Sequence, residues 1–172
     1  MPKTLLTDVN ETPKSISPEA FRDGMAGLAG AVNIVTTQWE GTPAGFTATA
    51  VCSVSDNPAT LLVCLNRSAS VHQVFSQSTH LAINTLTKGQ QALSNVFGGK
   101  APMPDRFALG SWETLETGSP VLADAAVTFD CIITEIKSVA THDVIFCQVQ
   151  AIKQNPSAGA LLYFQRSYRE LD

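Results

Sequence analysis

The segment Ala44–Val54 constrains this chain more than any other. Its even positions, Ala44, Phe46, Ala48, Ala50, Cys52 and Val54, are apolar, and its odd positions are Gly45, Thr47, Thr49, Val51 and Ser53. Alternation at period two is the signature of a β-strand with two unlike faces. A strand that meets bulk water ordinarily carries charges on its wet face, and this one carries none. An uncharged edge of small hydroxyls suits contact with a neutral polar partner. The plainer alternative stays open: a barrel strand whose threonines are there for β-propensity.

The flanking sequence extends this pattern into an antiparallel fold. Ser17-Pro18-Glu19 reads as an N-cap, a first-turn proline and an early acid, opening a helix that carries Phe21, Met25 and Leu28. Gly24, Gly27 and Gly30 precede a strand instead of following one, so they are expected to let that helix pack closely, not to bind a dinucleotide. Strands are expected at Val32–Thr37, Thr60–Leu65, His80–Leu86, Ala125–Val139, His142–Lys153 and, last, Leu161–Phe164. Short helices are expected after Ser68 or Ser70, which would cap the first, and over Gln90–Phe97. Lys100–Asp105 reads as a loop and Trp112–Leu122 as irregular. Without βαβ alternation, the count favours an α+β protein: an antiparallel barrel of six to seven strands with flanking helices. Residues 1–16 read as a flexible tail and 17–172 as one domain.

Composition narrows the partners. Charged residues are only 15% of the 172, a light surface charge that is consistent with part of the surface being covered in an oligomer. The net charge is −4 and the basic residues form no run, which argues against nucleic acid or an acidic membrane. The N-terminus lacks a signal-peptide core and no apolar run is long enough to span a bilayer, so a cytoplasmic protein is expected. Cys52, Cys64, Cys131 and Cys147 lie far apart in apolar segments and read as reduced, buried and structural. The three histidines fall at no metal-ligand spacing.

The remaining polar residues gather in a few places. Asn66-Arg67-Ser68-Ala69-Ser70 stands where a strand turns into a helix and offers donors to an anion, or else is an ordinary capped turn. Lys100 and Arg106 flank the proline-rich loop, Thr141-His142-Asp143 joins two long strands, and Tyr163-Phe164 ends a strand. Together they describe a seat for something flat, anionic and partly apolar. No acid–base machinery is among them, which fits a cofactor that brings its own chemistry.

Phe21–Met25, Gly30–Thr37, Gly45–Val54, Phe97-Gly98-Gly99-Lys100, Arg106-Phe107, Val139–Asp143 and Tyr163–Tyr168 resemble the flavin reductase family of FMN-binding split barrels. The likeness runs in order from Phe21 to Leu171. It implies a Greek-key split β-barrel and a homodimer that binds FMN, or possibly FAD, near the subunit interface. It also implies reduction by NADH or NADPH, with reduced flavin handed to a separate oxygenase. On this resemblance Phe46, Thr47, Ala48, Thr49, Ala50, Val51, Cys52 and Ser53 would line the polar edge of the flavin ring. Asn66, Ser68 and Ser70 would take the ribityl and phosphate groups, with Lys100 and Arg106 as further anion contacts. His142 and Tyr163 would lie on the nicotinamide side. Two other readings remain: a tightly flavin-bound oxidase of the pyridoxamine-phosphate oxidase-like type, and a flavin-binding module without activity.

Overall fold

Ser17 caps the first helix as its sequence context predicts: its hydroxyl accepts from the Ala20 amide at 3.1 Å, opening α1 (Pro18–Ala26). The computed structural model describes residues 14–172, so most of the expected N-terminal tail lies outside the described residues. The helix does not pack as expected. None of its residues is buried, Phe21 is 62% exposed, and a Cβ at Gly24 would meet nothing within 4 Å; Leu28, expected on the helix, lies two residues past its end and is 64% exposed. Among the described residues of one chain, nothing covers Phe21, Met25 and Leu28.

The strands are β1 (Gly30–Ala31), β2 (Asn33–Trp39), β3 (Thr42–Ala48), β4 (Val51–Asp56), β5 (Ala59–Asn66) and β6 (His80–Thr85). They continue with β7 (Trp112–Thr114), β8 (Pro120–Leu122), β9 (Val127–Val139), β10 (His142–Gln154), β11 (Ala160–Phe164) and β12 (Ser167–Leu171). Interspersed are α2 (His72–Gln77), α3 (Gln91–Gly98) and α4 (Met103–Phe107). A seven-stranded sheet runs β3-β2-β6-β9-β10-β5-β4, every pair antiparallel. Its two edges, β3 and β4, are consecutive in the chain and joined by Thr49 and Ala50 alone. The sheet therefore curls into a barrel that is split where these edges meet. Among the described residues, no helix is long and apolar enough to cross a membrane.

Four expectations are corrected, the first being Trp112–Leu122, read as irregular, which holds the antiparallel pair β7 and β8 with Glu113 opposite Val121. The Lys100–Asp105 loop gives way to α4, with Pro104 in its first turn, where proline's missing N–H does no harm. The strand expected to be last is followed by β12, which pairs with β11 through Phe164↔Ser167. The supposed single strand Ala44–Val54 is two strands with a bend between them. The bend reverses the faces: Phe46 and Ala48 pack on the barrel core, and so does Val51, which the alternation placed on the opposite face. Cys52 and Val54, expected inside, are exposed. An odd step across a kink sends every later side chain to the other face.

Two apolar clusters share β2 as a wall. Val35, Val63, Leu65, Phe75, Ile83, Cys131, Ile145 and Cys147 fill the barrel. Ile34, Leu86, Leu93, Phe97, Leu122 and Leu161 form the second cluster, with Phe107, Trp112 and Tyr168 packed against it. Because Ile34 and Val35 point into different clusters, β2 is buried on both faces and reads as an unbroken apolar and β-branched run. Cys131 and Cys147 are buried free thiols as expected, but Cys64 is half-buried and Cys52 exposed.

Asn84 locks these layers together. It is fully buried on β6. Its Nδ2 donates to Ile34 O at 2.9 Å and Thr36 Oγ1 at 3.2 Å, and its Oδ1 accepts from Leu122 N at 2.9 Å and Thr128 Oγ1 at 3.1 Å. One amide thus ties β2, β6, β8 and β9 with its full hydrogen-bonding capacity in use. Asn84→Leu would remove four hydrogen bonds from a buried position and should cost on the order of 3 kcal/mol. Thermal unfolding is the measurement, with a fall in Tm of roughly 6–12 °C expected.

Candidate functional site

The split between the sheet edges opens a cleft of about 390 Å³. Its floor and one wall come from Phe46, Thr47, Ala48, Thr49 and Ala50, at the end of β3 and in the link. Cys64, Leu65 and Asn66 enter from the end of β5, and Ala69, Ser70 and Val71 from the turn before α2. Phe97, Gly98 and Gly99 close it from the end of α3, with Arg106 behind them and His142 at the start of β10. The ladder places His142 directly opposite Asn66, so two segments far apart in sequence reach the cleft at one register position.

Backbone amides supply much of the polar lining. Ala50 O accepts from Cys64 N at 3.1 Å and Thr49 O from Val51 N at 2.9 Å, which fixes the link. Among the described residues the amides of Thr49 and Ala50 donate to no protein acceptor, and neither do those of Ser70 and Val71. Backbone N–H groups without partners are costly unless water or a ligand satisfies them. Four such donors around one cleft therefore favour a ligand rich in acceptors.

The side chains expected at the site are distributed unevenly. Phe46, Thr47, Ala48, Thr49, Ala50, Asn66, Ser70, Arg106 and His142 all line the cleft. Thr47 is partly committed elsewhere, because its hydroxyl donates to Ser94 O at 2.7 Å. Val51 lines a neighbouring cavity of about 830 Å³, on the α1 side of the link. Cys52 and Ser53 are exposed on the edge strand β4 and line neither space. Ser68 caps no helix: the N-cap of α2 is Val71, and Ser68 donates both its amide and its hydroxyl to Asn66 Oδ1, at 2.9 and 2.8 Å. Asn66 is thus the residue that shapes the turn. Lys100 follows Gly99, is exposed and lines no cavity wall.

His142 and Tyr163 occupy different spaces. His142 lines the cleft, with its Nδ1 2.8 Å from Thr141 Oγ1. Tyr163 lines the larger cavity, together with Arg22, Met25 and Arg166, and also a third cavity of about 300 Å³ that shares Thr47, Ala48, Thr49 and Gly98 with the cleft. Thr49 borders all three spaces. The link is therefore the ridge on which they meet.

Several lining residues escaped sequence reasoning. Phe97, Gly98 and Gly99 carried a visible signal, a glycine pair ending a helical pattern, without indicating which wall they would form. His72 gave none, and Asp143 stood out only as part of the Thr141-His142-Asp143 turn; neither lines the cleft, but they brace it from behind. His72 Nε2 sits 2.7 Å from Asp143 Oδ2, and Ser138 Oγ donates to Asp143 Oδ1 at 2.6 Å, bracing the β9–β10 hairpin beside His142. The Ser138 hydroxyl first, and then His72, hold the Asp143 carboxyl below its ordinary value.

A single-edged β-barrel cleft lined by unpaired amides, small hydroxyls and apolar walls defines a binding site for a planar, acceptor-rich ligand. Residues 25–172 match the family described as the flavin reductase like domain, and the chain belongs to that family. A relative from Acinetobacter baylyi, named FMN reductase (NADH) RutF, is 55% identical over 160 residues, 93% of this chain and 85% of its own. A solved chain from Haemophilus somnus shares 48% identity and a TM-score of 0.89, over 91% of this chain and 100% of that one. The flavin reductase PheA2 shares 30% identity and a TM-score of 0.82, over 91% of this chain and 99% of that one.

Asp143 makes the site's framework acid-sensitive. A carboxyl depressed in the folded state contributes stability that is present above its unfolded value of 3.8 and is lost as pH falls through the folded value. Urea midpoints at pH 6 and at pH 3 should therefore fall less for Asp143→Asn than for the unsubstituted protein. An equal fall in both would show that this carboxyl does not carry the effect.

Proposed function

We propose that this chain is an NADH-dependent flavin reductase acting on FMN, which releases reduced flavin to a separate oxygenase. The observation that carries the reading is the Thr49–Ala50 link, with two free amides and the hydroxyl of Thr49 at the junction of three cavities. The name FMN reductase (NADH) RutF borne by the 55% identical relative supports NADH as donor, FMN as acceptor and the pyrimidine-utilisation (Rut) pathway as setting.

FMN fits the residues present. Its ring is flat with a neutral polar edge of carbonyl oxygens, which match N–H donors better than charges. Phe46, Leu65, Val71 and Phe97 offer apolar walls to the ring system. The ribityl and phosphate groups would extend toward Asn66 and Ser70, where the amides of Ser70 and Val71 are unpaired. When bound, the flavin accepts hydride from the nicotinamide, so the protein need supply no acid or base. The residues bind and align: the link amides stabilise charge developing at the ring edge, and apolar walls limit water. His142 and Tyr163 flank the link and would place the nicotinamide.

The openness of the site agrees with a flavin that comes and goes. Thr49 and Ala50 are exposed, so among the described residues the link side of the cleft is open. The exposed stripe Phe21, Met25 and Leu28 beside the larger cavity supports a homodimer with its site near the subunit interface. A cytoplasmic setting, where NADH and an oxygenase are both available, completes the reading.

Purified protein mixed anaerobically with FMN and NADH should bleach the visible flavin absorbance. Flavin binding without bleaching would favour a carrier module, and flavin that travels with the protein on gel filtration would favour the tightly bound oxidase. Thr49→Val should weaken FMN binding several-fold, on the order of 1 kcal/mol for one hydrogen bond. His142→Ala should raise the KM for NADH and leave FMN affinity unchanged. Unaltered NADH kinetics in that variant would remove His142 from the nicotinamide side.

A further inference from the structure

Arg106 is 5% exposed, yet among the described residues no carboxylate lies within ion-pair distance of it. Its guanidinium is held instead by main-chain carbonyls. Nε donates to Ala101 O at 2.9 Å, Nη1 to Gly45 O at 2.9 Å and Phe97 O at 3.0 Å, and Nη2 to Gly99 O at 3.0 Å. Four of the five N–H donors of the planar fork are thereby committed. Phe97 and Gly99 carry carbonyls at the end of α3, which have no helical partner and welcome a cation. Gly45 lies across from them on β3.

The contacts around this fork form a seam between β3 and α3. A Cβ at Gly45 would stand 2.7 Å from the Phe97 ring, so only glycine lets the two elements approach this closely. Two residues along β3, Thr47 donates to Ser94 O at 2.7 Å, and a Cβ at Gly98 would touch the Thr47 side chain at 3.4 Å. The wall Phe46–Ala48 and the facing wall Phe97–Gly99 are therefore set apart by a distance that this seam fixes.

We propose that Arg106 is a positioning residue: a carbonyl clamp that sets the width of the cleft by fastening the Gly98–Gly99 turn to β3, and not a contact to the ligand's phosphate. The inference rests on the reading of this cleft as the flavin site. It replaces a role in anion binding with one that needs the geometry of the fork. A lysine keeps the charge but presents a single nitrogen with three donors, and cannot reach four carbonyls spread around a plane.

The experiment compares the unsubstituted protein with Arg106→Lys and Arg106→Met, using amide hydrogen exchange of the flavin-free protein and titrations with FMN and with riboflavin, which lacks the phosphate. Exchange at Gly98, Gly99 and Lys100 is expected to quicken in both variants while β9 and β10 stay protected. Affinity for both flavins is expected to fall together, by about tenfold, with their ratio preserved. A global loss of stability would instead raise exchange throughout and leave binding intact well below Tm.

Three results would overturn the proposal: unchanged exchange at the glycine turn, wild-type affinity in Arg106→Lys, or a loss confined to FMN, which would mark a direct phosphate contact. Should the Arg106 variants fail to fold, Gly45→Ala takes their place, wedging the seam from the other side. It too should weaken both flavins equally, and undiminished affinity in it would equally sink the clamp. If the unsubstituted protein binds neither flavin, the functional reading falls, while the exchange data still decide whether Arg106 holds the turn.

Discussion

Two residues, Thr49 and Ala50, are all the chain that separates one edge of the seven-stranded sheet from the other. This connectivity governs the rest of the structure. A sheet whose first and last strands are joined by so short a link must curl on itself, and the link must cross the gap where the ladder cannot continue. Edge strands normally leave a row of unpaired N–H and C=O groups that has to be managed. Here the link and the turn before α2 both bring amides without a protein acceptor to residues that line the cleft. The site is thus the unavoidable seam of the barrel, not an addition to its surface.

That origin accounts for the chemistry of the site. Backbone donors cannot move or titrate, and they carry partial charge without attracting counterions. They suit a ligand edge that is polar but neutral and that gains charge only during reaction. Where positive charge does enter, at Arg106, it is buried against carbonyls at the end of α3, and burial draws its pKa downward from the ordinary arginine value. The polar framework around the barrel is built the same way, with Asn84, Asp143 and Arg106 each holding several partners of fixed geometry.

Elements governed by local rules were legible in the sequence. Ser17 and Pro18 announced α1, the β-branched run announced β2, and the long alternating stretches announced β9 and β10. The hydroxyl-edged segment drew attention to the right place, since Phe46 through Ala50 do line the cleft. What could not be read was the bend within it. Nothing local distinguishes Thr49-Ala50 from the residues on either side, because the kink is imposed by closure of the sheet. The same blindness placed Cys52 inside, and it could not show the four carbonyls, brought together only by tertiary packing, to which Arg106 donates. Glycine at 45 was visible, but its reason, the Phe97 ring pressed against it, belongs to a residue more than fifty positions away in the sequence.

The unburied face of α1 is the other feature that local reading mistook, and it bears on the site. Phe21, Met25 and Leu28 have the helical spacing of a core-facing stripe, which is why the sequence implied burial. In the single chain they face outward beside the larger cavity, whose lining passes without interruption from α1 to Thr49 and Ala50. Apolar side chains held in a capped helix at the rim of a functional cavity cost solubility for no gain unless something covers them. A covering surface placed there would also close the α1 side of the link. On this geometry a surface that buried the helix would also wall the α1 side of the link, so the alternation that first marked the strand and the stripe that marked the helix border the same space.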